Sequence, residues 1–137
     1  MVAYSFRKTF APDIQAGTKT GTIRGPRKRH AKVGEDLQLY QGMRTKYCKK
    51  IIPDPVCEGV YEIAMDIHPK QMGAIVVGGA GWMLSRHGYD LFAQKDGFEN
   101  MNAMHAFWIK HHDTGTFEGF WIRWEPWKDS ALTEYFT

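Results

Sequence analysis

Cysteine is scarce in this 137-residue chain: there are two, Cys48 and Cys57. Two thiols cannot build a disulfide framework. They flank the Pro53-Asp54-Pro55 break, so neighbouring strands can bring them face to face, but that alone makes no metal site. The six histidines show no HExxH spacing and no cysteine at ligand distance along the chain, so all six read as structural or solvated. No resident cofactor or metal is expected beyond a loosely held divalent ion at a phosphate site. Long apolar runs are also missing. The most apolar stretch, Ala74–Leu84, is interrupted by glycines and is too short to span a bilayer. No charged start followed by an apolar run opens the chain, so no signal peptide is expected. These absences predict a cytoplasmic protein with reduced thiols and no membrane partner. Internal repeats, low-complexity tracts and linkers are lacking too. The length suits one domain over residues 1–137, with a core at about 2–124 and an acidic, aromatic tail at 125–137.

Acidic residues are lacking from one segment in particular. Between Gly17 and Lys50 there are ten Lys and Arg residues against Glu35 and Asp36 alone. The rest of the chain carries eight bases and thirteen acids. One basic segment on an otherwise acidic chain predicts a polyanionic partner. No obligate protein partner is inferred. Aromatics are plentiful, at 14% of residues, and some of these rings can serve as stacking platforms.

Short strands and turns dominate the pattern. Strands are predicted over Val2–Phe6, Thr18–Arg24, Leu37–Gln41, Lys46–Ile51, Val60–Ile67, Ala74–Gly78, Trp82–Ser85 and Phe117–Trp124. Ala11–Gly17 reads as one helical turn, opened by Pro12 and stopped by Gly17. Tyr89–Lys95 reads as a helix ending at Gly97. Asn100–His111 is the clearest helix, with Asn100 as N-cap and Met101, Met104, Phe107 and Trp108 on one face. In the last strand Phe117, Gly119, Trp121 and Arg123 face one way, and Phe120, Ile122 and Trp124 the other. The expected fold is α+β, a small closed mixed β-barrel with flanking helices.

Three constellations can carry chemistry. In Gly17–Arg24 the chain offers Lys19, Thr20, Thr22 and Arg24, with Lys19 able to activate the Thr22 hydroxyl or a water. Strand alternation puts Lys19 and Thr22 on opposite faces, so their meeting requires a bulge, and Gly21 is its natural place. In Leu39–Lys46 the residues Tyr40 and Lys46 flank a tight turn and can meet across a hairpin. A phenol beside an ammonium titrates lower and can exchange a proton with a ribose hydroxyl. Arg44 at the tip can clamp a phosphate. Asp96, beside Gly97 at a helix end, can direct a carboxylate at the barrel mouth.

The ordered run of motifs resembles the ASCH family: FAPDIQAGTKTGTIR at Phe10–Arg24, Val33-Gly34-Glu35, LYQGMRTK at Leu39–Lys46, Asp96-Gly97-Phe98, the helix Met101–Trp108, and FEGFWIRW at Phe117–Trp124. The resemblance spans about Val2 to Trp124. It implies a PUA-like barrel, a cleft lined by the Lys19–Arg24 strand, and single-stranded RNA or an RNA-derived nucleoside as partner. In the branch that hydrolyses N4-acetylcytidine, a Lys, a Thr and a Glu act; Lys19 and Thr22 match the first two, and Asp96 stands nearest the third. In the branch with proposed ribonuclease activity, a Tyr and a Lys act, matched by Tyr40 and Lys46. The leading expectation is a hydrolase that binds and cleaves single-stranded RNA. Thr20, Arg24, Arg27, Lys28, Arg29, Arg44 and Tyr47 are the expected RNA contacts. The alternatives are a non-catalytic RNA-binding module and an N4-acetylcytidine amidohydrolase.

Overall fold

In the computed structural model, residues 1–78, 81–127 and 130–137 are described. The chain opens on β1 (Val2–Phe6), whose alternate residues Val2, Tyr4 and Phe6 are buried. Helix α1 (Ala11–Ala16) follows a 3-10 turn at Lys8–Phe10. Pro12 sits in its first turn, and Gly17 closes it in the left-handed conformation at φ 81°, as the sequence predicts. Then come β2 (Gly21–Arg24), β3 (Leu37–Gln41), β4 (Lys49–Lys50), β5 (Gly59–Ile67), β6 (Met72–Val77) and β7 (Trp82–Met83). Helices α2 (Tyr89–Lys95) and α3 (Met101–His111) precede β8 (Gly115–Arg123). Asn100 caps α3 by accepting a hydrogen bond from the Ala103 N–H at 2.9 Å.

The fold is α+β and mixed, with two sheets. One has the order β1-β3-β4, with β1 and β3 parallel; the other is antiparallel, in the order β2-β8-β5-β6-β7. The ladders do not close into the barrel expected from the sequence. Where β1 and β2 approach, a side chain makes the link: Arg24 Nη2 donates to the Ser5 carbonyl at 2.6 Å. The edge strands β4 and β7 are two residues each.

Strand β8 is shared by both hydrophobic clusters. Phe117 and Trp121 pack with Ile63, Met65, Ile75, Phe92 and Met104, while Ile122 packs with Tyr4, Phe6, Ile14, Leu37 and Leu39. Its predicted two-residue alternation is therefore real.

Several predicted limits shift. The strand expected over Thr18–Arg24 starts only at Gly21, and the strand expected over Lys46–Ile51 shrinks to Lys49–Lys50. Gly79 and Ala80, between the strands predicted over Ala74–Gly78 and Trp82–Ser85, lie outside the described residues. Both cysteines are free, Cys48 exposed and Cys57 buried. The segment read as a tail is folded in. Leu132 is fully buried, Phe136 bridges Leu84, and Thr137 exchanges two backbone hydrogen bonds with Met83. Among the described residues, no helix is long and apolar enough to cross a membrane.

Candidate active site

Five segments meet around a cavity of about 180 Å³: the end of β1, the 3-10 turn at Lys8–Phe10, β2 with the residues leading into it, the turn after α2, and α3. Lys19 reaches this point because it lies before the strand. Its own N–H bonds the Asp13 carbonyl at 3.0 Å, and the next N–H, of Thr20, bonds the Lys95 carbonyl at 2.9 Å. The Lys19 ammonium then turns inward. It donates to the Gly21 carbonyl at 2.8 Å, the Asp96 carbonyl at 2.6 Å and Asp96 Oδ1 at 3.3 Å. Both residues are nearly sealed from water, with Lys19 3% and Asp96 6% exposed.

Gly97 makes this closeness possible. It adopts φ 96°, and a Cβ there would lie 2.8 Å from Lys19 Cδ and 3.0 Å from Phe10 Cδ1.

Burial pushes the pair toward its neutral forms. The Lys19 pKa is lowered chiefly by desolvation, against the opposing pull of the Asp96 charge. The Asp96 pKa is raised chiefly by desolvation, again opposed by its partner. A buried amine and carboxyl in contact can share a proton, and groups shifted in this way cluster at functional sites.

Thr22, also buried, lines the same cavity, and its hydroxyl oxygen accepts from Arg24 Nε at 3.0 Å. The expected bulge at Gly21 is not needed, since Lys19 precedes the ladder instead of alternating within it. Aromatic rings form the walls. Phe10, Phe98 and Phe107 sit with centroids 5.2–5.6 Å apart, and Lys19 Nζ stands 5.0 Å from the Phe10 ring and 5.6 Å from the Phe6 ring. Trp108 completes the lining, and Arg7 joins it as an exposed residue. A planar, partly apolar group fits such walls.

Other expected site residues lie elsewhere. Tyr40 pairs across its ladder with Lys50, whose Nζ stands 5.8 Å from the tyrosine ring. Lys46 lies over Tyr47 at 5.2 Å, so the structure does not place Tyr40 and Lys46 opposite each other. The reason is the turn: Gly42 and Arg44 both take positive φ, and the chain does not return to the ladder until Lys49. Arg44, Lys46 and Tyr47 are exposed there.

Arg27, Lys28, Arg29 and Lys32 line a separate open depression. Arg27 lies 4.7 Å over the Tyr4 ring, and Arg24 lies 5.4 Å from the same ring. Glu35 shapes this loop by accepting from the chain's N-terminal ammonium, the Lys32 N–H and Arg29, and these bonds hold its pKa down to about 2.

Thr20 turns to Glu125, which the sequence reading missed. Glu125 accepts from Thr20 Oγ1 at 3.3 Å, Lys95 Nζ at 2.8 Å and Arg123 Nη2 at 3.1 Å. It thus ties the neighbours of Lys19 and Asp96 to the end of β8. Nothing local in the sequence signals this, because each of its partners comes from another part of the fold or lies inside the last strand. Among the described residues, no three His, Cys, Asp or Glu side chains cluster as a metal site would require. Comparison of the chain with protein-family models, curated proteins and solved structures gives no match.

Proposed function

We propose that this chain is an ASCH-type, PUA-like cytoplasmic hydrolase acting on an RNA-derived nucleoside, and that its reaction is removal of the acyl group from an N4-acylated cytosine. The observation that supports it is the convergence of Lys19, Thr22, Arg24 and Asp96 on one small aromatic cavity. The base enters the cavity and lies against the phenylalanine wall. Lys19 hands one proton to Asp96, the Thr22 oxygen attacks the amide carbonyl, and its proton passes to the amine so freed. Arg24, already hydrogen-bonded to Thr22, supports the negative charge that develops. The carbon–nitrogen bond breaks, Lys19 returns the proton to the departing exocyclic amine, and water then cleaves the acyl–threonine ester. Asp96 keeps Lys19 aimed by accepting two of its three hydrogen bonds.

A second reading, a plain binder of single-stranded RNA, is favoured by the open basic depression at Arg27, Lys28, Arg29 and Lys32. Backbone cleavage by Tyr40 and Lys46 lacks a comparable arrangement, because the two residues face different neighbours. One experiment separates the three. The purified protein is incubated with N4-acetylcytidine and with labelled single-stranded RNA, with and without divalent metal. Acetate release that is lost in Thr22→Val supports the hydrolase. RNA that is retarded on a gel but stays whole, with no acetate, makes the protein a binder. RNA cut by the wild type and spared by Tyr40→Phe moves the active site to the hairpin.

A further inference from the structure

The cavity holds more positive charge than its own residues balance. Arg7, Lys19 and Arg24 line it, and Asp96 is its single carboxylate. Whichever of Lys19 and Asp96 holds the shared proton, the pair sums to zero. Both guanidinium groups remain charged, so the cavity stays cationic. Among the described residues, no carboxylate lies within ion-pair distance of Arg7 or Arg24, whereas Arg29 and Arg123 each have a glutamate partner.

The two arginines differ in depth. Arg24 is held inside, with Nε on Thr22 Oγ1 and Nη2 on the Ser5 carbonyl. Arg7 stands at the mouth. It is exposed, its guanidinium lies 5.7 Å from the Phe107 ring, and its Nη2 is 3.3 Å from His111 Nδ1. A cavity of about 180 Å³ is smaller than most ligand pockets, which span roughly 300–1,000 Å³. It has room for a base but leaves sugar and phosphate outside, beside Arg7.

We infer that Arg7 is a phosphate-reading residue, and that the substrate is a nucleotide carrying a phosphate ester, as a mononucleotide or within a chain, rather than the neutral nucleoside. This rests on the reading that the cavity takes the base. A bidentate guanidinium–phosphate contact is strong, and a loss of about 1.4 kcal/mol corresponds to tenfold.

Acetate release is measured on N4-acetylcytidine, its 5′-monophosphate and an acetylated dinucleotide, with wild type, Arg7→Ala and Arg7→Lys. Thermal melts check that each variant is folded. The wild type should favour a phosphorylated form by about tenfold or more in kcat/KM, chiefly through KM. The ratio should collapse toward one in Arg7→Ala and recover in part in Arg7→Lys. The arm that responds, monophosphate or dinucleotide, names the source of the phosphate. Equal turnover of nucleoside and phosphate, or a preference that survives Arg7→Ala, overturns the inference and leaves the hydrolase reading standing. Calorimetric binding of cytidine and cytidine monophosphate supplies a readout free of turnover. Binding of the monophosphate that depends on Arg7, with no acetate from any substrate, keeps the phosphate site and removes the hydrolase. Absence of binding by both overturns the phosphate site.

Discussion

Lys19→Met isolates the buried pair. The substitution keeps the stem but removes the ammonium, and with it three hydrogen bonds at 2.6, 2.8 and 3.3 Å. Asp96, 6% exposed, is left without its counter-charge. Breaking such a pair by removing one partner costs about 3–5 kcal/mol, a large share of the roughly 5–15 kcal/mol that holds a domain together. The loss depends on pH. Burial already raises the Asp96 pKa, and removing the opposing charge raises it further. A carboxyl whose folded pKa lies above its unfolded value, about 3.9, stabilises the fold below that value and loses the contribution as pH climbs through the folded pKa. Lys19→Met should therefore lie closest to wild type in acid and furthest below it at neutral and alkaline pH. Urea unfolding followed by tryptophan fluorescence, at about pH 5 and about pH 8, reads both the size and the slope. Lys19→Met/Asp96→Asn should lose less than Lys19→Met, since no charge is then stranded. A Lys19→Met loss under about 1 kcal/mol, equal at both pH values, would refute the reasoning.

Glu125→Gln should destabilise by about 2 kcal/mol in urea unfolding, because Arg123 is buried and loses its counter-charge while Glu125 itself is partly exposed. A change indistinguishable from zero would show that the network around Thr20 and Lys95 is ornamental. Leu132→Ala should lower stability by about 2–5 kcal/mol, as for a buried core leucine; a neutral effect would return residues 130–137 to the status of a tail. For a single-stranded oligonucleotide, replacing Arg27, Lys28 and Lys32 together by Ala should make the log–log salt slope shallower by roughly 2, at about 0.7 per phosphate. An unchanged slope would place the nucleic acid elsewhere.

The elements legible in the sequence are those decided by near neighbours. Gly17 ends α1 and Asn100 starts α3 through bonds spanning three or four residues. The alternation of β8 is visible because each of its faces meets a different apolar cluster. Lys19, Thr22 and Asp96 were identifiable as candidates by residue type and motif. Their meeting was not derivable from the period of the strand, because the ladder begins two residues after Lys19. The Tyr40 hairpin misled for a related reason. Positive φ at Gly42 and Arg44 extends the turn, and the register advances from Lys46 to Lys50. Arg7 meets Phe107 and His111, Glu125 meets Thr20 and Lys95, and Phe136 meets Leu84, all distant in sequence, which no local pattern reports.

The most direct test of the central claim is the rate of acetate release by Thr22→Val beside wild type, on N4-acetylcytidine and its monophosphate. The substitution is nearly isosteric at a buried position and removes the one oxygen placed to attack. Its structural cost is the acceptor of Arg24 Nε, about 1–3 kcal/mol, and a thermal melt checks that the variant is folded. Wild type should release acetate, and Thr22→Val should lose turnover while its melt shows a folded protein. Turnover that is undiminished in the variant, or no acetate from the wild type on either substrate, contradicts the central claim.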